Sequence, residues 1–264
     1  MQYQQLTVVQ VALAAVLIVV NGGLSVWLKL GLERTLAAAA VRMVVQLLLL
    51  GMVLQWVFDL DRWYVILGIA VVMTTIAGVT AVQRSKRRYQ GIWFDTIISI
   101  LASSWIVTAY GLLVVMDRGA EWYKPQLLVP LLGMVLGNIL NGISVGLSTF
   151  TESTWNRHKE IEALLSLGAT RWEACQTPIR HAIRTGMTPI LNSMMIAGVV
   201  SIPGMMTGQL LAEIDPADAA KYQIMIIFLI ASAVALGTTG AVLLSFRRLF
   251  NDDHQFLRGR LRNL

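Results

Sequence analysis

Apolar runs of about 20 residues recur along the chain, the length needed to cross a ~30 Å hydrocarbon core. Seven can be marked, at roughly 6–28, 36–57, 63–82, 92–116, 127–150, 188–212 and 222–245. Trp56, Trp63, Tyr64, Trp93, Trp122, Tyr123 and Tyr222 stand near their ends, where amphipathic rings favour the headgroup level. The pattern predicts an all-α integral membrane protein, a single polytopic domain over residues 1–264 with seven transmembrane helices. One polar interval is much longer than the others: Thr151 to Thr185, TESTWNRHKEIEALLSLGATRWEACQTPIRHAIRT. Within it, Glu160 to Leu167 reads as a short helix stopped by Gly168, which can take the positive φ of a helix end. Thr170 followed by Glu173 has the capping-box spacing that starts another helix. Residues 151–185 are therefore expected to form a helical elbow.

Charge orients the runs. Lys29, Arg34, Arg84, Lys86, Arg87, Arg88, Arg157, Lys159, Arg171, Arg180, Arg184, Arg247, Arg248, Arg258, Arg260 and Arg262 fall in one set of connections. The opposite set holds only Arg62, Arg118, Lys124 and Lys221. The positive-inside rule puts the first set in the cytoplasm, with the N-terminus outside, the C-terminus inside and the elbow cytoplasmic. The outer connections are short and acidic: Asp59 and Asp61, Asp117 and Glu121, then Glu213, Asp215 and Asp218. They are solvated loop charges or a weak cation-attracting mouth.

Composition agrees: 56% of residues are hydrophobic and 14% charged, with a mean hydropathy of +0.66. The net charge of +6 does not point to nucleic acid, because the basic residues sit between apolar runs. The bilayer is the expected surrounding. Cys175 is the lone cysteine, which excludes an intrachain disulfide and a cysteine metal cluster. Residues 1–7 contain no lysine or arginine, so a cleaved signal peptide is not expected.

Several polar residues fall inside the runs. Arg42 precedes Gln46 by one helical turn, and either snorkels or pairs structurally, or faces a transport path. Asp95 opens the fourth run, where a helix N-terminus favours a carboxylate. In the fifth run, Gly133, Gly137 and Asn141 form one small-residue stripe, and Gly142 and Gly146 another. Such stripes let helices approach closely; Asn138 and Asn141 serve that packing or line a cavity. The sixth run holds Asn192 and then SIPGMMTGQ, residues 201–209. Pro203 and Gly204 should break the helix, which membranes tolerate only inside protein or along a cavity. Met205 and Met206 offer soft thioethers but point to different helix faces, and Gln209 follows. A gate and a packing role both remain open there.

Enzyme motifs are missing. There is no G-x-S-x-G, no H-E-x-x-H and no G-x-x-x-x-G-K-[ST], so the chain has no P-loop with which to bind ATP. His158, His181 and His254 all fall on the cytoplasmic side, which excludes an in-membrane bis-histidine haem. No metal-ligand set is assigned, and no cofactor is expected on this chain.

Glu162-Ala163 followed by Gly168 resembles the EAA loop of ABC-transporter permeases, although Leu164 replaces the second alanine. More widely, Pro130 to Asn138 (PLLGMVLGN), Leu165 to Thr170 (LSLGAT), Ser201 to Gly208 (SIPGMMTG) and Ile214 to Ile227 (IDPADAAKYQIMII) are similar to the FetB-type permeases. These are the membrane halves of ABC transporters assigned to iron export, with plant relatives linked to aluminium tolerance. Ile202 and Glu213 depart from the usual leucine and glycine. The resemblance implies a permease of the bacterial inner membrane, a homodimer paired with a separate P-loop ATPase that binds ATP and Mg. It also implies a coupling role for Glu160, Glu162, Ala163, Leu167, Gly168, Ala169, Thr170 and Arg171, and an iron or other metal cargo. The alternatives are a secondary transporter or channel without a motor, and a scaffold that recruits a cytoplasmic regulator.

Overall fold

A computed structural model describes residues 7–60, 62–85, 87–116, 123–251, 253 and 255–263. Asp61, Lys86, Asp117, Arg118, Glu121, Trp122 and His254 lie outside the described residues, as do the side chains of Asp59, Arg258 and Arg262. The chain forms two compact units, residues 1–61 and 62–264.

The first unit is a helical hairpin, α1 (Val8–Trp27) and α2 (Glu33–Leu60). Thr7 and Gln10 close a capping box at the start of α1. The turn uses left-handed backbone at Lys29 and Gly31. It is fastened by the buried Ser25, whose hydroxyl donates to Glu33 Oε2 at 3.1 Å and accepts from Leu32 N–H at 2.9 Å. Leucines and valines are exposed all round both helices, as suits segments whose solvent is hydrocarbon.

The second unit contains α3 (Trp63–Gln83), β1 (Arg87–Tyr89), α4 (Ile92–Tyr110, continued by a π-helical turn Gly111–Val115), α5 (Pro125–Asn156), α6 (His158–Ser166), α7 (Arg171–Ile196), α8 (Gly204–Leu211), α9 (Pro216–Leu249) and β2 (Leu261–Asn263). The central helix is α5, which packs on α3, α4, α7 and α9 through Ile139, Ile143, Leu147 and Phe150, all fully buried. Glycine lets α5, α7 and α9 meet closely. A Cβ on Gly186 would lie 2.7 Å from Gly142 O and 2.6 Å from Thr238 Cγ2. Of the two stripes on α5, Gly142 and Gly146 make this contact, whereas Gly137 faces open space. The short strands pair antiparallel, with Tyr89 opposite Leu261.

Among the described residues six helices are long and apolar enough to cross a membrane: α1, α2, α3, α4 with its π turn, α5 and α9. The seventh expected run, 188–212, is not one helix. Its first part ends α7 at Ile196, residues 197–203 are non-helical, and its last part is α8. The elbow, too, is narrower than residues 151–185. Helix α5 continues to Asn156 and α7 begins at Arg171, leaving α6 and the turn after it as the part that stands apart. Thr151 and Thr154 allow this, because their buried hydroxyls donate back to the carbonyls of Leu147 and Phe150.

Candidate functional site

The elbow is built by local chemistry. Gly168, at φ +93°, ends α6 in a Schellman turn: Gly168 N–H donates to Leu165 O at 3.1 Å, and Ala169 N–H to Leu164 O at 3.0 Å. Thr170 and Glu173 then form the reciprocal capping box that opens α7. Arg157 donates from Nε to Glu160 Oε2 at 2.8 Å. This bond holds the Glu160 carboxyl below its ordinary range and raises the Arg157 guanidinium. Ile161 is buried beneath α6, while Glu162, Ala163 and Gly168 are exposed and Ala169 is half-buried. Leu167 is 85% exposed, with Leu164 and Trp172 exposed nearby. The elbow therefore presents an apolar edge flanked by charge.

Both ends of the elbow are fastened. At its entry the Arg87 guanidinium stacks on Trp155 at 4.4 Å. At its exit Arg171 Nη1 donates to Asn251 O at 2.8 Å, and Trp172 meets Phe246 edge to face. Phe246, Phe250 and Phe256 continue this aromatic run into the C-terminal tail, which returns to pair β2 with β1. Behind the strands Asp95 is buried, accepting from the Tyr89 hydroxyl at 3.0 Å and pairing with Arg248 at 3.3 Å. Burial, then the Asp95 charge, pushes the Tyr89 hydroxyl up in pKa. Cys175, buried in the first turns of α7, is pushed up to about 12 by desolvation. The sequence offered Asp95 only as a helix-start carboxylate. Its partner is 153 residues away, and the phenylalanines of the tail were the one visible hint of a packed terminus.

The residues expected along a transport path fall on separate elements. Arg42 and Gln46 are exposed on α2 of the first unit. On α5, Asn138 is half-buried and donates to Met134 O at 2.8 Å, while the exposed Asn141 accepts from Arg84 Nη1 at 2.7 Å. Asn192 is exposed on α7. Pro203 is the N-cap of α8; Met205, Met206 and Gln209 are half-buried on that helix. Gln209 Oε1 is enclosed without a hydrogen-bond partner among the described residues. The helix break before Pro203 turns through Gly198 at φ +81°, and leaves Val199 and Val200 87% and 78% exposed. Among the described residues no group of three or more His, Cys, Asp or Glu could hold a metal ion.

Comparison with known proteins covers nearly the whole chain. Residues 8–250 match the model of the "Uncharacterised protein family (UPF0014)". A UPF0014 membrane protein of Synechocystis is 38% identical over 88% of this chain and 89% of its own. The Escherichia coli protein named "Probable iron export permease protein FetB" is 32% identical over 97% of each chain. "Protein ALUMINUM SENSITIVE 3" of Arabidopsis thaliana is 27% identical over 94% of this chain and 89% of its own. No solved structure matches. The chain is a multi-pass membrane protein that belongs to the UPF0014 family.

Proposed function

We propose that this chain is the membrane-spanning subunit of an ATP-driven exporter, powered by a separate P-loop ATPase that docks on the elbow. The observation that carries the reading is the elbow: a Schellman-terminated helix with Leu167 exposed at its tip, anchored at entry and exit. Leu167, with Leu164 and Trp172 exposed beside it, gives an apolar edge of the kind that lies in a partner's groove, and the anchoring suits transmission of force. Helix α7 begins at the elbow and stays helical, with Pro178 inside it, as far as the Gly186–Gly142 contact with α5. A tilt imposed at the capped end of α7 would therefore reach α5 and α9 through that contact. The similarity to a protein named for iron export supports a metal-containing cargo. Two copies, each with its ATPase, would complete the machine in the inner membrane with the elbow on the cytoplasmic side.

The test is co-purification from a native host, followed by ATPase and transport measurements in nanodiscs and vesicles. A P-loop ATPase is expected to accompany the wild type and to be lost from L167E. G168P, which can hold neither φ +93° nor the bond from Gly168 N–H to Leu165 O, should disrupt the elbow turn and uncouple hydrolysis from transport. A wild-type chain that moves cargo with no ATPase attached, or L167E that keeps its partner, would sink the proposal.

A further inference from the structure

Helix α7 stops in the middle of the hydrocarbon. Gly186 is seated between Gly142 and Gly146 of α5, and Ser144, which lies between those glycines, donates to Ala81 O at 3.4 Å. Gly186 is therefore level with the last turn of α3, next to Arg84. Ile196, the end of α7, follows Gly186 by ten residues, about 15 Å of helix and half of a ~30 Å core. The other side gives the same depth. Thr238, which Gly186 touches, follows the start of α9 at Pro216 by 22 residues, about 33 Å. Helix α8 packs on α9 and ends four residues before its N-cap, Asp215. The eight residues of α8 span about 12 Å. Residues 197–203 consequently lie about 10 Å or more from either surface.

The backbone there is not satisfied. The N–H groups of Val199, Val200 and Ser201 all turn back to Ile196 O, and that of Gly198 donates to Ser201 O. Among the described residues the carbonyls of Ala197, Gly198, Val199, Val200 and Ile202 accept no hydrogen bond, and the N–H groups of Ile202, Gly204, Met205 and Met206 donate none. Pro203 gives α8 no side-chain cap. The stretch is also open: Val199 and Val200 are almost fully exposed and Ile202 is 60% exposed. Asn192, exposed one turn before the end of α7, has no hydrogen-bond partner among the described residues either. Free backbone groups at this depth can be covered by protein or wetted by a cavity, but they cannot face lipid.

We infer that the break lines a water-filled passage in the middle of the membrane, and that a second copy of this chain, with its own break, forms the opposite wall. Water supplies the donors and acceptors that the break lacks. Among the described residues of the second unit nothing closes the side on which Val199 and Val200 stand, so the wall that keeps lipid out comes from outside that unit. The inference rests on the two-copy permease reading and locates the passage within it. A two-fold axis beside Val199 and Val200 sets one break opposite the other, as broken helices meet near the midplane in transporters built from repeats.

Single-cysteine chains V199C, V200C and V72C, made in a C175S background, are placed in nanodiscs without ATPase or cargo. Val72 is 56% exposed on α3 and precedes Arg84 by twelve residues, about 18 Å. It is thus as deep as the break, but on a continuous helix. A membrane-impermeant maleimide is expected to label V199C and V200C at least about tenfold faster than V72C, because a thiol in lipid forms little thiolate. A short bismaleimide should join two copies through V199C or V200C and not through V72C. Thermal unfolding shows whether each variant has kept its fold, and if one has not, the other decides. Labelling of V199C and V200C no faster than that of V72C would overturn the passage. Fast labelling with no crosslinked dimer would overturn the second copy as its wall. Native mass spectrometry of the same discs keeps this test apart from the permease reading: two chains per disc without labelling or crosslink sink the inference alone, and a single chain sinks the two-copy reading with it.

Discussion

The Asp95 side chain is 3% exposed and that of Arg248 44%, so the two ends of this ion pair are not interchangeable. Removing Arg248 leaves a buried carboxylate supported by the Tyr89 hydroxyl; removing Asp95 leaves a guanidinium that water can reach. R248Q is therefore expected to cost about 3 kcal/mol and D95N about 1 kcal/mol, compared by unfolding in detergent. Equal losses would show that the pair is solvated at both ends. Cys175 invites a second measurement. With its thiol pushed up to about 12 by burial, little thiolate forms at neutral pH. Maleimide labelling of the intact protein at pH 7 should be negligible, and should become rapid once α7 is displaced or the chain unfolded. At Gly168 the backbone is left-handed, so G168A should loosen the elbow by about 1 kcal/mol although nothing stands within 4 Å of the added methyl. The Gly168 stop and the Thr170–Glu173 start could be read directly from the sequence, because both depend on neighbours within five residues. The Asp95–Arg248 pair and the Arg171 bond to Asn251 could not, since helix-start chemistry says nothing about which distant segment will pack there.

Among the elements, α5 shows how far spacing can be trusted. Gly133–Gly137 and Gly142–Gly146 are equivalent as patterns, yet only the second pair meets α7 and α9 closely. The difference lies in where the neighbouring helices run, which a one-helix pattern does not contain. Alanine at Gly186 would meet the Gly142 carbonyl and Thr238, and should cost about 1–3 kcal/mol. Alanine at Gly137 has open space and better helix propensity, so G137A should be neutral or stabilising by up to about 1 kcal/mol. Thermal unfolding of the two variants side by side checks this contrast. The break near Pro203 was legible because proline and glycine act locally. That α7 stops earlier, at Ile196, was not: Ala197 to Ile202 contains no strong breaker beyond Gly198, and the turn depends on Gly198 adopting φ +81°. The polar elbow was visible as composition, but its edges moved because Thr151 and Thr154 return their hydroxyls to their own helix.

For the whole molecule, the proposed assembly sets a stoichiometry. Native mass spectrometry from nanodiscs should find two 29.1 kDa chains with two ATPase subunits, and a species with one copy of this chain would contradict it. The pairing of β1 with β2 also has a consequence during synthesis. Arg87–Tyr89 are made long before their strand partners Leu261–Asn263, since Leu261 follows Tyr89 by 172 residues. At ribosomal rates the wait is roughly ten to thirty seconds. Throughout that interval the Asp95 carboxylate lacks its arginine, and the connection between α3 and α4 lacks its cover. Nascent chains arrested before Phe246 should therefore be cut by protease at residues 84–91, while chains that include Leu261–Asn263 resist, so a segment made long afterwards acts as the seal on the connection between α3 and α4.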